Sequence, residues 1–533
     1  MSWNKFFHNG RRKDKSEGNK TFGTDAWGVL GVKNSREEIE RDYDRILFLA
    51  PTRRLSDKTQ VFPLEQNDSV RTRLTHSHEV ANLARSIGTQ LAYEHAGLFD
   101  DDSSERQWSI TRVLPSLLAG IGLAHDLGNP PFGHQGESAI QDWFKNKSLD
   151  IFPHEGGKIP NEYNDFIQFD GNSQTIRLLT QLQILNDKFG INLTYGMLAA
   201  MLKYPQSSKY VADRKEAIAA WAEEESQGPS PKKPTWKKHG YFYSESEIIK
   251  DVWEETGLKE GVRHPLTYVM EACDDIAYSV LDAEDIVKKG LASYHDLINH
   301  LTYYISDDCA KARIKKDKSD LSDDEVDTLV HELKPRFDVI QATIDASKSK
   351  HSKFSNPSLG LTPAELNDMS MQMFRVYAIG NLVQHTTQAF VDNFDGLCPN
   401  ENPHKDLMSL SIASELCDAL KDFDLKWGYK NKSVLKLELE GHGYIQGLMD
   451  MLWVGIHGKL DSDDPKDSST PFGKYAYGRI SENYRRVFED EDNGLPDAYK
   501  EAQLLTDAIS GMTDSYLIDL HDELKQLHRN FSG

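Results

Sequence analysis

Cysteine is scarce in this 533-residue chain: four residues, Cys273, Cys309, Cys398 and Cys417, with no CxxC pair among them. That scatter excludes a disulfide framework and makes a thiolate-caged structural zinc a poor expectation, and it makes a reducing interior the natural compartment. No apolar run approaches the roughly twenty residues a spanning helix requires, so no membrane association is expected. Residues 1–20 are polar and basic without an apolar stretch, which does not fit a secretory signal and points to the cytoplasm. Basic residues are outnumbered 62 to 84, a net charge of −22. Such a field disfavours general binding to nucleic acid or anionic membrane, so a polyanionic ligand must be drawn by a local basic pocket. Strand signals are sparse, and no internal repeat or low-complexity tract is evident.

What the chain has in abundance is helical periodicity. Apolar residues recur at three-to-four-residue spacing over 78–95, 110–127, 136–146, 173–189, 265–289, 323–348, 363–393, 405–421, 443–457 and 498–529. The expected fold is all-α, with at most minor β-hairpins, one of them around residues 237–243. Residues 1–49 read as an N-terminal extension, 50–300 as a catalytic core with an insertion near 204–262, and 301–533 as a C-terminal helical region completing the pocket and building an oligomer interface. Residues 222–240, with Gly228-Pro229-Ser230-Pro231-Lys232-Lys233-Pro234, read as a loop. Residues 306–326, mixing Asp and Lys, read as a connector.

Chemistry concentrates in one stretch. An apolar helical run ending Gly120-Ile121-Gly122-Leu123-Ala124 is followed at once by His125-Asp126, and then by Leu127-Gly128-Asn129-Pro130-Pro131-Phe132-Gly133-His134. Proline and glycine stop the helix and turn the chain, so that His134 and Glu137 return toward the His-Asp pair. A metal site needs further donors, and His76 and Asp274 are the best placed. Val80, Leu83, Ala84, Ile87 and Leu91 give the helix after His76 one apolar face. Asp274, Tyr278 and Asp282 share a face at i, i+4 and i+8, which favours Asp274 over its competitor Asp275. Two imidazoles and two carboxylates suit a first-row divalent ion with open positions, and its identity, magnesium, manganese or another first-row metal, stays open.

In these motifs the chain resembles the HD-domain deoxynucleoside triphosphate triphosphohydrolases, specifically their bacterial dGTPase branch. Arg53-Arg54-Leu55, Lys58-Thr59-Gln60-Val61-Phe62-Pro63, Arg73-Leu74-Thr75-His76-Ser77, the His125 to His134 stretch, Phe169-Asp170-Gly171-Asn172, Glu271-Ala272-Cys273-Asp274-Asp275-Ile276-Ala277-Tyr278 and Ile509-Ser510-Gly511-Met512-Thr513-Asp514 occur in that order. The resemblance implies His76, His125, Asp126 and Asp274 as ligands of one divalent ion per subunit. It implies His134 as the catalytic histidine with Glu137 as its acidic partner, Arg73 and Arg375 as phosphate contacts, and Gln60 as a residue near sugar and base. Tyr278 would pack on the deoxyribose and Asp282 would hold its 3′-hydroxyl. Some relatives carry histidines where Asn129 and Phe169 stand, so those auxiliary histidines are not carried over.

The reaction implied is hydrolysis of a dNTP, with dGTP foremost, to a deoxynucleoside and inorganic triphosphate. Imidazole is the side chain whose ordinary pKa best suits protonation of the departing 5′-oxygen, which is His134's expected role. A homo-oligomer, with a hexamer one arrangement, and single-stranded DNA or a second nucleotide as effector also follow from the resemblance alone. The alternatives are another HD-type nucleotide phosphohydrolase or phosphodiesterase and a nucleotide-binding sensor. A pure sensor has no need for both the ligand set and the acid. The late group Tyr477, Arg479, Tyr484, Arg485 and Arg486 reads equally well as a phosphate or base contact and as an exposed amphipathic helix.

Overall fold

The structure, a computed structural model, describes residues 2–18, 35–62, 70–100, 108–183, 188–223, 236–398, 406–461 and 467–532. The proline-rich part of the loop expected over 222–240 lies outside these. The fold is all-α: β-structure among the described residues is confined to isolated bridges. Among them, too, no helix is long and apolar enough to cross a membrane.

Eleven helices carry the argument: α1 (Arg73–Glu94), α2 (Ile110–Ala124), α3 (Gly133–Ile151), α4 (Gly171–Arg177), α5 (Pro265–Lys288), α6 (Asp323–Phe354), α7 (Pro363–Asp392), α8 (Ser414–Asp424), α9 (Lys432–Ile456), α10 (Asp497–Ser510) and α11 (Asp514–Ser532). Two apolar cores organise them. The first gathers α1, α2, α5, α6, α7 and α8, together with the N-terminal aromatics Trp3, Phe6 and Phe7. The second gathers α3, α9, α10 and α11. Helix α5 lies against α1 and α2 on one side and α7 and α8 on the other, and α9 lies against α3, α10 and α11.

Close approach of α1 and α2 depends on a small residue. A Cβ on Gly122 would stand 2.9 Å from the Ala81 Cα, so only glycine lets the two backbones meet here. His76 and His125 are thereby brought to the same end of the pair, with ring centroids 5.5 Å apart.

Several helices differ from their expected spans for visible reasons. The 498–529 run is two helices, broken at Gly511, Met512 and Thr513, where the chain turns to present Asp514 to Thr59 and Phe132. The 173–189 run ends in a π-helical turn, Leu178–Leu182. Helix α8 starts only at Ser414, after a short turn Met408–Leu410. The hairpin around 237–243 does not form. Gln206 donates to the Trp236 and Lys238 carbonyls and accepts from Gly240 N, pinning that stretch to residue 206 instead of to itself. Within 306–326 a helix, Asp307–Asp317, packs on α6. Tyr477 lies on one short helix, Tyr484, Arg485 and Arg486 on another, and Arg479 between them; Tyr477 and Tyr484 are buried in the second core, so one exposed amphipathic helix does not describe the group.

Candidate active site

Helix α1 begins at a reciprocal cap, in which Thr72 and Thr75 exchange hydrogen bonds, and this places Arg73 and His76 in its first turn. His125 stands where α2 ends. Its Nδ1 lies 2.7 Å from the Gly122 carbonyl; donation there leaves the Nε2 lone pair facing the cavity. Asp274 projects from α5 to meet both rings: its Oδ1 is 3.2 Å from His76 Nε2 and 3.4 Å from His125 Nε2. Two donors sharing one ion at about 2.0–2.2 Å stand about 3.0–3.5 Å apart, so this spacing fits a common ion. Asp126 sits at the edge of the group, its Oδ1 3.4 Å from His125 Nε2 while accepting from Asn129 Nδ2 at 2.7 Å, and its Oδ2 accepting from Arg73. Asp275, the competitor, pairs instead with Lys421 at 2.9 Å.

The electrostatics follow from burial against pairing. Burial opposes a charged His125, yet the Asp126 and Asp274 carboxylates outweigh it and hold its pKa up at about 9. Desolvation opposes a charged Asp274 too, though its side chain is only partly buried, but His125 and then Lys203 depress it well below the usual carboxylate range. A cation in the centre of this cluster would take over the role of that imidazole proton.

His134 follows a strained turn. Phe132 has φ of 60°, and Gly133 follows at 56°. A left-handed phenylalanine persists only where its surroundings hold it. Here its N–H donates to Asp514 Oδ1 at 3.1 Å. Helix α3 then starts, and His134, 78 % exposed, stands at the cavity with Nδ1 3.0 Å from Glu137 Oε2. Glu137 is buried and fixed by the Gly171 N–H on its Oε1 at 2.8 Å. The hydrogen bond to Glu137 raises the His134 pKa.

These groups open onto one cavity of about 690 Å³, within the range of small-molecule sites. It lies at the seam of the two cores, with walls from α1, α3, α5 and α9 and from the chain after α2 and α8. Gln60, Arg73, His76, His125, Asp126, His134, Glu137, Asp274 and Tyr278 all line it, as expected. Among the described residues, Gln60 Oε1, Arg73 Nε and His125 Nε2 on this cavity are buried polar atoms without hydrogen-bond partners. Such orphans are rare in native proteins and mark a place where a ligand completes the bonding.

Two expected residues are not on the wall. Arg375 is drawn to Glu284, with both carboxylate oxygens 2.9 Å from its Nη1, and so faces away from the cavity. Asp282 is fully buried behind Tyr429. Conversely, the walls hold residues the motif reading missed: Lys203, Tyr204, Asn172, Lys238, Tyr429 and Glu438. Lys203 Nζ lies 3.3 Å from Asp274 Oδ2, and Lys238 Nζ 2.8 Å from Asp170 Oδ2. Only the Phe169-Asp170-Gly171-Asn172 motif carried a signal for any of them, for Asn172.

A model of the HD domain matches residues 73–160. A deoxyguanosinetriphosphate triphosphohydrolase-like protein of Listeria monocytogenes is 31% identical, with 99% of this chain and 100% of the relative covered. The chain belongs to the HD-domain deoxyguanosinetriphosphate triphosphohydrolase family. Within that family, the deoxyguanosinetriphosphate triphosphohydrolase of Serratia proteamaculans is 30% identical over 91% of this chain and 93% of its own length. A protein of Pseudomonas aeruginosa named a probable deoxyguanosinetriphosphate triphosphohydrolase is 29% identical over 92% and 93%. Membership in the family extends over the whole chain, well beyond the matched HD segment.

Proposed function

We propose that this protein hydrolyses deoxynucleoside triphosphates, dGTP foremost, releasing a deoxynucleoside and inorganic triphosphate. The observation that carries the reading is the meeting, in one cavity, of the His76, His125 and Asp274 cluster with the His134 and Glu137 pair. Those three donors and Asp126 would hold a divalent ion, for which the orphaned His125 Nε2 and the mixed nitrogen and oxygen set are suited. Such an ion supplies charge neutralisation at phosphate and a more acidic water.

The chain's own residues account for the rest. Arg73, Lys203 and Lys238 line the cavity, each paired with a carboxylate, and offer a triphosphate cationic donors in an otherwise acidic protein. His134, whose protonated form Glu137 favours, donates to the departing 5′-oxygen. Tyr278 supports the sugar from α5, and Gln60 offers it an acceptor that has no partner among the described residues. On the α9 wall, Glu438 presents a half-buried carboxylate. A carboxylate accepts from both N1–H and the 2-amino group of guanine, whereas adenine's edge gives it only one donor beside a repelling acceptor; this supports guanine. Homo-oligomerisation and regulation by single-stranded DNA or a second nucleotide rest on the resemblance alone.

The test is product analysis by chromatography, with each of the four dNTPs and GTP offered to the purified protein with Mg²⁺ or Mn²⁺, beside His134→Ala. Deoxynucleoside plus intact triphosphate, absent in the variant, is expected. Monophosphate plus pyrophosphate points to another HD phosphohydrolase, and binding without turnover to a sensor.

A further inference from the structure

We infer that Arg263, a residue off the cavity wall, is the positioning residue for its cationic side: it fixes the two chain segments that carry Lys203 and Lys238, so that both ammonium groups meet the triphosphate of a bound nucleotide. The inference rests on the deoxynucleotide reading above.

Arg263 lies just before α5 and is buried, so its guanidinium charge has to be matched by its surroundings. Its Nη1 donates to Glu271 Oε2 at 2.6 Å and its Nη2 to Glu271 Oε1 at 3.3 Å, a two-pronged pairing with a carboxylate one turn before Asp274 on α5. Its Nε donates to the Lys203 carbonyl at 2.5 Å. Aromatic rings cover the guanidinium, with the Trp236 centroid 4.3 Å from Cζ, that of Tyr268 5.2 Å and that of Tyr204 5.6 Å. One side chain thus touches the backbone of Lys203, the ring next to it and the ring that closely precedes Lys238.

The electrostatic consequence falls on Lys203. Its ammonium stands between two carboxylates, 3.3 Å from Asp274 Oδ2 and 4.0 Å from Glu271 Oε1. Because Arg263 engages both Glu271 oxygens, Lys203 is not drawn back onto Glu271 and stays on the cavity wall. Without the guanidinium, Glu271 is a largely buried carboxylate short of a counter-charge, and Lys203 is the cation at hand to supply it. The mechanical consequence falls on Lys238. Gln206, in the same loop as Lys203, donates to the Trp236 and Lys238 carbonyls, each at 2.7 Å. A Cβ on Gly240 would stand 2.2 Å from the Tyr204 carbonyl oxygen, so the two segments lie against each other without slack. With the Trp236 ring seated on Arg263 as well, the segment carrying Lys238 is held by backbone and by ring. Arg263 and the loop it grips are one mount for both lysines.

The experiment measures binding of dGTP and of deoxyguanosine by calorimetry with Mn²⁺, in a His134→Ala background so that nothing is turned over. Deoxyguanosine lacks the phosphates and reports on the rest of the pocket. Arg263→Lys keeps a charge for Glu271 but has no planar fork with which to hold the Lys203 carbonyl and seat Trp236. It should weaken dGTP by roughly tenfold or more, the effect of one charge-assisted hydrogen bond, and leave deoxyguanosine at parental strength. With Lys203→Met already present, the same change should weaken dGTP by roughly threefold or less, the part that acts through Lys238. Arg263→Met combined with Glu271→Gln leaves no buried charge unpaired; it replaces Arg263→Lys if melting curves show that variant unfolded, and the same pattern is expected. Parental dGTP binding in the Arg263 variants overturns the inference, because the lysines then hold their own positions. An equal loss for deoxyguanosine, or a tenfold loss that persists without Lys203, also overturns it and assigns Arg263 a general structural role. A parent that binds dGTP no more tightly than deoxyguanosine lacks the triphosphate contact itself, which sinks the proposed function and this inference with it.

Discussion

Glu137 holds His134 from behind: its Oε2 is 3.0 Å from the imidazole Nδ1, while its Oε1 is occupied by the Gly171 N–H. The carboxylate cannot turn away without abandoning a buried donor, so the imidazole is oriented with Nε2 toward the cavity. Because Glu137 raises the His134 pKa, the acid form persists to higher pH than in a free imidazole.

Glu137→Gln should therefore move the alkaline limb of the activity profile toward lower pH. At pH 8 the turnover should fall by roughly a hundredfold, within the usual contribution of one acid-base group. Profiles of kcat against pH for the two proteins decide it; an unmoved limb shows that His134 is not the titrating acid.

Metal uptake should release protons. His125 titrates at about 9 against a reference of 6.5, so at pH 7.5 the metal-free protein carries a proton that an incoming ion displaces. Calorimetry in buffers of different ionisation enthalpy should show close to one proton released per ion, and affinity should weaken as pH falls. The linked stability has a definite sign: a raised pKa stabilises the metal-free fold fully below 6.5, and that contribution is lost as pH rises through about 9. In thermal scans without metal, this decline should appear as the difference between the parent and His125→Ala, since Lys58 titrates with the opposite sign over the same range in both proteins.

Lys58 is buried among backbone carbonyls, its Nζ donating to Asn129 at 2.6 Å and to Ser510 at 2.8 Å. Burial lowers its pKa to about 7. Lys58→Met should destabilise the fold by about 2–4 kcal/mol, the loss of two such bonds with acceptors left unpaired. Denaturant unfolding measures this directly, and a neutral result would mean that water replaces the amine.

Base selection should follow Glu438. Glu438→Gln is expected to reduce the preference for dGTP over dATP by roughly tenfold or more, mostly through weaker dGTP binding. Competition between the two nucleotides for one enzyme provides the ratio, and an unchanged ratio would assign base reading to other residues.

The helices that frame the site were legible because their apolar spacing is regular: α1, α2 and α5 fall within a few residues of the expected spans. The candidate ligands were legible because their motifs are compact and their residue types rare on apolar helix faces. Lys203, Lys238, Tyr429 and Glu438 were not. They come from four separate segments, and lysine, glutamate or tyrosine at such positions looks like ordinary surface or core until the chain is folded. Arg375 and Asp282 show the converse. Position on the correct helix did not give contact with the cavity, because Glu284 captured one and Tyr429 covered the other. The break before α11 was hidden because Asp514 is spent on tertiary hydrogen bonds with no trace in local periodicity.

Asp514 accepts from the backbone of Thr59 and of Phe132, partners 455 and 382 residues earlier in the chain. The turn that aims His134 therefore lacks its anchor until nearly all of the polypeptide has left the ribosome. A nascent or prematurely terminated chain carries every candidate ligand and the acid, yet leaves Phe132 without the acceptor that holds its left-handed backbone. Competence for catalysis is thus tied to completion of synthesis, and a fragment ending before residue 514 is expected to be inert toward the cell's nucleotide pool.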